Sequence, residues 1–264
     1  MPDFIYRIST VELAIYSSLF FVGLTWFGII FIKPFLRLII GREPQINELV
    51  SYTTAGFSLF YGLLLGLLAV AAYQNFDEVR RNAFAEAASL ASLYRDAARY
   101  PEPVQSDVQA LLRDYTLYVI YKDWPAHRKG EIYKGGSNRL NMIQYSVLQF
   151  QPRTPGEEIL HGQTLQDFNN FVTARQNRLA GVRTAIPGVM WYAVAIGAFT
   201  NIVLIWMLNM RFFTHLLLGG IGSFFLGVMI FLIASMDNPM RGQISVSPGS
   251  YQLVYDAQMV WDEE

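Results

Sequence analysis

Four long apolar runs divide the chain. They contain no Asp, Glu, Lys or Arg, and they extend from Leu13 to Ile32, from Val50 to Tyr73, from Ile186 to Met210 and from Phe212 to Met236. A helix needs about 20 apolar residues to cross a hydrocarbon core of about 30 Å, and each run reaches that length. The pattern therefore predicts four transmembrane helices.

The leader of the first run, MPDFIYRIST, has Arg7 as its single basic residue and offers no small-residue cleavage site. A secretory signal peptide combines a basic leader with such a site. The first run is therefore predicted to be retained in the protein as a span.

The polar region between the second and third runs, Gln74 to Ala185, has a helical period. Spacings of three and four residues place an apolar stripe along its first helix, with charged side chains largely off the stripe. The stripe comprises Phe76, Val79, Ala83, Ala87, Leu90, Tyr94 and Ala97, and the charged residues are Arg80, Arg81, Glu86 and Arg95. The PEP sequence that begins at Pro101 ends this helix.

Three further helices are predicted in the polar region. They run from Val104 to about Trp124, from Ser137 to Phe150 and from Thr154 to Ala185, with the segment WPAHRKGEIYKGGSN as a loop after the first of them. The last helix opens with TPGEE, which places acidic side chains at a helix N-terminus. Because no strand pattern of useful length occurs, the expected fold class is all-α, a four-span membrane protein with a helical domain.

The expected organisation has four parts. Residues 1–73 form an N-terminal segment with the first two spans, 74–185 the helical domain, 186–236 the third and fourth spans, and 237–264 a C-terminal tail. The tail sequence SYQLVYDAQMVWDEE suits either a short amphipathic helix that clasps a neighbouring subunit or a loosely attached end.

Basic residues near the span ends indicate the orientation in the membrane. With four spans, both termini and the polar region share one side, which has seven such residues against four on the other. The seven are Arg7, Arg80, Arg81, Arg175, Arg178, Arg183 and Arg241, and the four are Lys33, Arg37, Arg42 and Arg211. The positive-inside rule then predicts that the polar region and both termini are cytoplasmic.

Composition removes several classes of function. The chain has 264 residues, a net charge of −1 and no cysteine, so it offers no disulfide framework, no thiolate nucleophile and no cysteine-bound metal. It also lacks the basic stripe that a nucleic-acid partner would need. Of the Asp, Glu, Lys, Arg and His residues, only one histidine, His215, falls within the four runs, which argues against proton-coupled transport.

An enzyme is not indicated. The chain contains no Walker loop, HExxH or GxSxG motif, and no cofactor or metal site is predicted. Arg175, Arg178 and Trp124 are polar candidates for an unfamiliar site, but no nucleophile, base and orienting group can be named together. The histidines, which are His127, His161 and His215, are interpreted as surface or packing residues.

The second run carries the main candidate for function. Its small residues share one helical face, its leucines form the adjacent stripe, and its glycines make a GxxxG pair that admits another helix closely. The small residues are Ser58, Gly62 and Gly66, and the leucines are Leu59, Leu63 and Leu67. If identical subunits surround an axis with the leucines inward, the stripe becomes an apolar neck that gates by dewetting. The alternatives are a glycine face that packs within one subunit and leucines that face lipid or pack.

Several segments resemble the bacterial membrane-protein family of unknown function that is labelled bestrophin-like and is distantly similar to bestrophin channels. These segments are TAGFSLFYGLLLGLLAVAAYQNF, FAEAASLASLYRDA, YVIYKDWPAHRKGE, RQNRLAGVRTAIPGVMW and MDNPMRGQISVSP. Together they cover most of the chain from Thr53 to Pro248.

The resemblance implies a pentameric channel with four spans per subunit, cytoplasmic termini and a helical cytoplasmic domain. In bestrophins an apolar neck is built on the second span from bulky residues four apart; Leu59 and Leu63 fall on two of these positions and Ala55 on the one before. Aliphatic side chains replace aromatic ones here. The DNP that begins at Asp237 resembles the turn after the last bestrophin span, but MRGQISVSP follows in place of an acidic cluster, so no calcium clasp is implied. Asp237 is expected to cap or end the last helix.

The favoured prediction is a passive ion channel in the bacterial inner membrane. Its expected partners are the lipid bilayer, further copies of the chain in a homo-oligomer, for which the resemblance implies a pentamer, and small inorganic ions, with anions favoured. Arg80 and Arg81 would attract anions into a vestibule, or would serve only as the positive flank of a span. The alternative function is a non-conducting membrane-anchored interaction or sensory module, which would share the same four spans.

Overall fold

The computed structural model describes residues 8–40 and 44–260, and the regular structure within these ranges is entirely helical. The helices are α1 (Thr10–Phe27), α2 (Lys33–Ile40), α3 (Pro44–Ala97), α4 (Val104–Tyr118), α5 (Trp124–His127), α6 (Gly135–Leu148), α7 (Pro155–Gly181), α8 (Gly188–Met207), α9 (Phe212–Met236) and α10 (Gly249–Val254). Three π-helical segments continue α1, α4 and α10, and they are Gly28–Ile32, Val119–Asp123 and Tyr255–Met259.

Four of these helical stretches are long and apolar enough to cross a membrane. They are Thr10–Leu36, Gln45–Ala97, Gly188–Met207 and Phe212–Met236. The predicted fold class is confirmed: the chain is an all-α integral membrane protein with four spans. The third span, α8, begins at Gly188, two residues later than the apolar run, because the backbone of Pro187 before it is not helical.

The chain divides into two compact units. The membrane unit contains the described residues of Met1–Gln74, Ala185–Asp237 and Gly242–Ile244. The helical unit contains those of Asn75–Thr184, Asn238–Arg241 and Ser245–Glu264. The long helix α3 contributes to both units.

Small residues bring α1 and α9 together in the membrane unit. A side chain at Gly227 would place its Cβ 2.5 Å from the Ser18 Cα atom, so this position admits only glycine. The Ser17 hydroxyl donates to the Gly227 carbonyl oxygen at 2.9 Å, and the hydroxyls of Thr25 and Ser223 lie 2.5 Å apart. Close approach and hydroxyl hydrogen bonds are what hold helices together in lipid, where apolar burial provides no driving force.

In the membrane unit, α3 packs on α8 through an aromatic side chain. The Tyr61 hydroxyl donates to the Val194 carbonyl oxygen at 2.8 Å, and the Tyr61 ring fills the space that a side chain at Gly197 would need. Leu65, Leu68 and Ala72 continue this buried face of α3.

The end of α9 is tied to the approach to α8. Asp237 is the C-cap residue of α9, as the sequence predicted, and its side chain is buried. Its Oδ1 atom accepts a hydrogen bond of 2.9 Å from the Ile186 backbone N–H. The carboxylate therefore satisfies a backbone donor that would otherwise lie buried without a partner.

The predicted stripe on α3 is the centre of the helical unit. Six of its seven members, from Val79 to Ala97, are buried, and Phe76 is half-buried at the edge. Side chains from α4, α6 and α7 pack against it, including Leu112, Ile143 and Phe171. Helix α7 starts as predicted, because the Thr154 Oγ1 atom accepts from the Glu157 N–H and Glu157 returns the bond in a capping box.

The predicted loop from residue 124 to 138 is wrong over much of its length. Helical structure continues through α5, and α6 begins at Gly135, which leaves residues 128–134 as the connection. Pro125 lies in the first turn of α5, directly after the π-helical segment Val119–Asp123. Trp124 is buried, and its indole N–H donates to the Val246 carbonyl oxygen at 3.0 Å.

One of the two expectations for the C-terminal tail, a loosely attached end, needs correction. Residues 249–259 are helical, and Tyr251 and Met259 are buried in the core of their own helical unit. The Tyr251 ring lies 5.5 Å from that of Trp124. Because these large side chains bury their area within the same chain, this part of the tail is not loosely attached, and its clasp on a neighbouring subunit stays a prediction; residues 261–264 lie outside the described part.

Candidate functional site

The predicted neck leucines form an exposed stripe on α3 in the membrane unit. Leu59, Leu63 and Leu67 are 71%, 60% and 62% exposed. At about 100° per residue, they lie on the side of the helix away from the buried residues Tyr61 and Leu65. Within one chain, this stripe is therefore left for lipid or for another copy to cover.

The two glycines of the GxxxG pair have open space beside them. No described atom lies within 4 Å of the position that a Cβ would occupy at Gly62 or at Gly66. Among the described residues, the pair therefore has no packing partner within its own chain. Ser58 behaves differently, because its hydroxyl donates to the Asn201 Oδ1 atom of α8 at 2.8 Å. The structure thus separates Ser58 from the glycines with which it was grouped.

The two arginines predicted for a vestibule share one carboxylate. Arg80 and Arg81 are exposed, and both form ion pairs with Asp77 on the preceding turn of α3, at 2.5 Å for Arg80. Asp77 and the neighbouring exposed Glu78 together balance the two guanidinium groups, so this turn of α3 has no net charge. This part of α3 belongs to the helical unit.

A second site lies inside the helical unit, and sequence reasoning misplaced its members. Glu86 was expected off the apolar stripe, and Arg175 and Arg178 were expected among the basic flanks of the spans. All three are buried, with Glu86 and Arg178 at 0% exposure. Of the seven residues counted for orientation, two therefore do not serve as membrane flanks. We call Glu86, Arg178, Tyr115, His127, Asp123 and Arg175 the buried charge cluster.

Arg178 is the centre of the cluster. Its Nε atom donates to the Glu86 Oε2 atom at 2.5 Å and its Nη2 atom to Oε1 at 3.2 Å, in a bidentate ion pair. Its Nη1 atom lies 3.0 Å from the His127 Nδ1 atom, and the Tyr115 hydroxyl donates to Glu86 at 2.5 Å. The ion pair joins α3 to α7, and the tyrosine adds α4.

Two further charges balance the pair. The Asp123 Oδ2 atom lies 4.0 Å from the Arg178 Nη2 atom, and Arg175 donates from its Nη2 atom to the Ser137 hydroxyl at 3.3 Å. Two carboxylates and two guanidinium groups thus sum to zero charge. A net charge of zero makes the burial of these groups less costly, and among the described residues neither oxygen of Asp123 has a hydrogen-bond partner.

The cluster shifts the ionisation of its members. Burial, together with the charges of Arg178 and Arg175, lowers the pKa of His127 to about 3. The imidazole is therefore neutral near pH 7, and its Nδ1 atom can accept from Arg178. Burial alone would lower the pKa of Arg178, but the Glu86 carboxylate raises it well above its usual range. Burial raises the pKa of Asp123, against the opposing charges of the two arginines.

This geometry describes an internal clamp. The groups that Arg178 contacts are side chains of the same unit, and its guanidinium also lies 5.5 Å from the Trp124 ring and 5.8 Å from that of Tyr251. Among the described residues, no group of three His, Asp or Glu side chains could hold a metal ion. His127 and the cluster arginines are packing residues of the core; His161 is half-buried and lies 2.8 Å from the Tyr100 hydroxyl.

A family model described as Bestrophin-like domain matches residues 19–251. A similar crystal structure is that of a bacterial bestrophin homologue from Klebsiella pneumoniae solved by zinc phasing; it is 12% identical over 92% of this chain and 97% of that chain, with a TM-score of 0.66. Another is a leucine-to-threonine variant of a bestrophin homologue from the same organism, 13% identical over 92% and 98%, with a TM-score of 0.64. No curated protein was found to match the chain.

Proposed function

The chain belongs to the bestrophin-like family, and we propose that copies of it assemble around an axis, as a pentamer, into a passive ion channel of the bacterial inner membrane. Leu59, Leu63 and Leu67 form the apolar neck of the pore. The helical unit and both termini are cytoplasmic. The conducted species are small inorganic ions, with anions preferred.

One observation carries the proposal: the exposed leucine stripe lies next to glycines with open space beside them. Lipid would cover exposed leucines as well as another subunit would, so exposure alone decides nothing. Glycines are different, because a helix gains close packing from Gly62 and Gly66 only when another helix approaches them. In an axial assembly, the glycines would let neighbouring subunits crowd together while the leucines turn inward.

The chemistry of the stripe fits a gate. Stacked rings of leucine would make a narrow segment that water and ions enter only at a cost in solvation, as in pores that gate by dewetting. The exposed guanidinium groups of Arg80 and Arg81 are the positive groups from which we infer the anion preference, and Asp77 and Glu78 balance their charge on the same turn of α3.

The test is single-channel recording of the purified protein in a planar bilayer under an asymmetric salt gradient. We expect discrete openings and a reversal potential closer to the Nernst potential of the anion than to that of the cation. Leu63→Ala should raise the conductance, because the neck widens. Leu217→Ala, at an equally exposed position of α9, is the matched control and should leave the conductance unchanged. Equal currents from the wild type and Leu63→Ala would contradict the neck assignment.

If no currents are recorded, the oligomeric state of the protein decides how that result is interpreted. The mass of the detergent-extracted protein should correspond to five chains. A monomer or dimer would make an axial pore untenable. A folded pentamer that is inserted and never conducts would favour the alternative, a non-conducting membrane-anchored interaction or sensory module.

A further inference from the structure

Helices α4 and α6 lie side by side in the helical unit and run in opposite directions. The Tyr118 phenol group, at the end of α4, occupies the space that a side chain at Gly135 would need at the start of α6. One turn further along α6, the Arg139 Nε atom donates to the Asp114 Oδ2 atom at 2.7 Å. Residue numbers therefore fall along α4 as they rise along α6, and the start of α4 lies beside the end of α6.

A groove opens between the start of α4 and the end of α6, and we call it the α4–α6 groove. It has a volume of about 560 Å³. Among the described residues that line it, Asp107 alone is charged. The walls also include the apolar side chains of Leu111, Met142 and Tyr145, of which Met142 is 53% and Tyr145 is 66% exposed. The groove thus combines exposed apolar area with a single carboxylate.

The end of the groove at Asp107 is electronegative. Asp107 is exposed, and none of the ion pairs among the described residues includes it. Helix α6 ends at Leu148 without a basic residue in its last turn, so its C-terminal carbonyl groups add partial negative charge. In the sequence, no charged residue occurs between Arg139 and Arg153. This end of the groove therefore favours a cation.

The groove has the size of a small-molecule site. Its α6 wall extends from Asn141 to Gln149, which is about 12 Å along a helix that rises 1.5 Å per residue. Small-ligand pockets usually have volumes of about 300–1,000 Å³, and the volume of the groove falls within this range. A stable protein partner would bury about 800 Å² on each side, which is more than two turns of two adjacent helices present. The dimensions therefore favour a small molecule.

We propose that the α4–α6 groove binds a small organic cation, a primary amine with a compact apolar body. Its ammonium group pairs with the Asp107 carboxylate, and the Ser146 hydroxyl and the Gln149 side-chain carbonyl offer acceptors for its remaining N–H donors. Its apolar body covers the exposed side chains of Met142 and Tyr145. The site stands apart from the leucine stripe of α3, and it does not depend on whether the protein conducts ions.

The test is isothermal titration calorimetry of the full-length protein in lipid nanodiscs, with 2-phenylethylamine as the probe. The matched ligand is 3-phenylpropionate, which has a carboxylate in place of the ammonium group. We expect saturable binding of the amine and at least about fivefold weaker binding of the carboxylate. Asp107→Asn keeps the shape of the side chain and removes its charge, so it should weaken amine binding by about fivefold, the effect of one partly exposed ion pair.

Two further variants separate the site from general effects. Asp107 lies in the first turn of α4, where an acid also stabilises the helix. Glu158→Gln removes an exposed acid from the first turn of α7 and is the matched control, with an expected change in affinity below about twofold. Ala110→Trp fills the groove at an exposed position of α4 while Asp107 remains, and it should abolish binding.

Three results would overturn the proposal. The first is wild-type affinity for the amine in Asp107→Asn or in Ala110→Trp. The second is an equal loss in Asp107→Asn and Glu158→Gln, which would indicate general attraction of cations to the surface. The third is a wild type that does not bind the amine; if Ala110→Trp then also lowered the assembled mass, another copy of the chain would cover the groove. If Asp107→Asn fails to fold, as judged by its thermal unfolding, equal affinity of the wild type for the amine and the carboxylate would reject the site.

Discussion

One helix, α3, is built in two contrasting ways along its length. In the helical unit, its apolar stripe from Val79 to Ala97 is buried by the same chain, and its most deeply buried acid, Glu86, has three hydrogen-bonded contacts. In the membrane unit, one face packs on α8, while the leucines and glycines on the other faces have no such cover. The first part is packed within one chain, whereas the leucine and glycine faces of the second are left for lipid or, as we propose, for another copy of the chain.

The difference shows which feature of a membrane helix is informative. Exposed leucines are ordinary in lipid, whereas a buried acid or a buried arginine without a partner would be very unfavourable in the helical unit. The helical unit therefore specifies its own packing through Glu86 and Arg178. The membrane part of α3 leaves the choice of partner to Gly62 and Gly66, which have room for another helix.

The largest effect should come from breaking the ion pair between Arg178 and Glu86 in the helical unit. Arg178→Met leaves Glu86 as an uncompensated buried charge, and we expect the helical unit to lose about 3–5 kcal/mol of stability. Thermal unfolding followed by tryptophan fluorescence measures the loss. Arg183→Met, at an exposed position beyond α7, is the control and should change little.

A double variant sharpens this result. Glu86→Leu combined with Arg178→Met removes both charges, so it should be more stable than Arg178→Met alone. If the single variant matched the Arg183→Met control, the pair would not be the clamp of the helical unit.

The next effect is a pH dependence that the helical unit should show. The folded-state pKa of His127 is lowered to about 3, whereas an unfolded histidine titrates near 6.5, so the unfolded state binds the proton first as the pH falls. Stability should therefore be present above about pH 6.5 and decline below it, by about 1.4 kcal/mol per pH unit, or about 2 kcal/mol at pH 5. Comparing the wild type with His127→Gln in unfolding experiments at pH 7 and pH 5 measures this effect.

Two other groups affect the comparison at low pH. The pKa of Asp123 is raised, so protonation of this carboxyl at low pH favours the folded state, opposite in sign to the effect of His127. Both proteins contain Asp123, so its effect cancels in the difference between their free energies of unfolding. His161→Gln is the control, because that residue is only half-buried and the lowering of its pKa is smaller in extent. An equal pH dependence in the wild type and in His127→Gln would contradict a neutral, buried His127.

A smaller effect, on assembly, is expected from filling the open space beside the glycines of α3 in the membrane unit. Gly66→Ala adds one methyl group where we propose that another subunit approaches, and the assembly should weaken by about tenfold or more, which is about 1.4 kcal/mol. The distribution of masses on dilution in detergent reports it. Gly222→Ala on α9 is the matched control, since that glycine also has no described atom within 4 Å. Unchanged assembly in Gly66→Ala would place this face against lipid.

Sequence reasoning found the spans and the apolar stripe because both are periodic and long. It missed Glu86, although this residue lies three positions after Ala83 and four before Leu90, within the stripe itself. Charge was taken as a sign of exposure, and its partner Arg178, 92 residues away, could not be identified from local spacing. The same long-range problem concealed the burial of Tyr251 in the tail and the helical continuation at Trp124.

For the leucine stripe of the second span, the sequence predicted the helical faces but not what covers them. The spacing of Leu59 and Gly62 identified the faces of the second span, but neither one chain nor its sequence contains the neighbour that would cover them. The burial of Lys33 was missed because the uncharged run ends at Ile32, whereas the helix continues through a π-helical turn into α2. A run defined by the absence of charge necessarily stops before the charge at its end.

The smallest effect should come from the arginines on the helical-unit part of α3. Arg80→Glu combined with Arg81→Glu reverses two exposed charges beside Asp77, and the reversal potential under a salt gradient should move toward cations by a few millivolts, a small shift since exposed charges are screened within about 10 Å at 0.1 M salt. Arg95→Glu is the control, about 22 Å farther along the same helix at 1.5 Å per residue, and it should shift the potential less. Because screening weakens with dilution, the shift should grow when both salt concentrations are lowered tenfold. If the double variant kept the wild-type reversal potential at low salt, Arg80 and Arg81 would be only the positive flank of a span, and the anion preference would have to arise elsewhere in the pore.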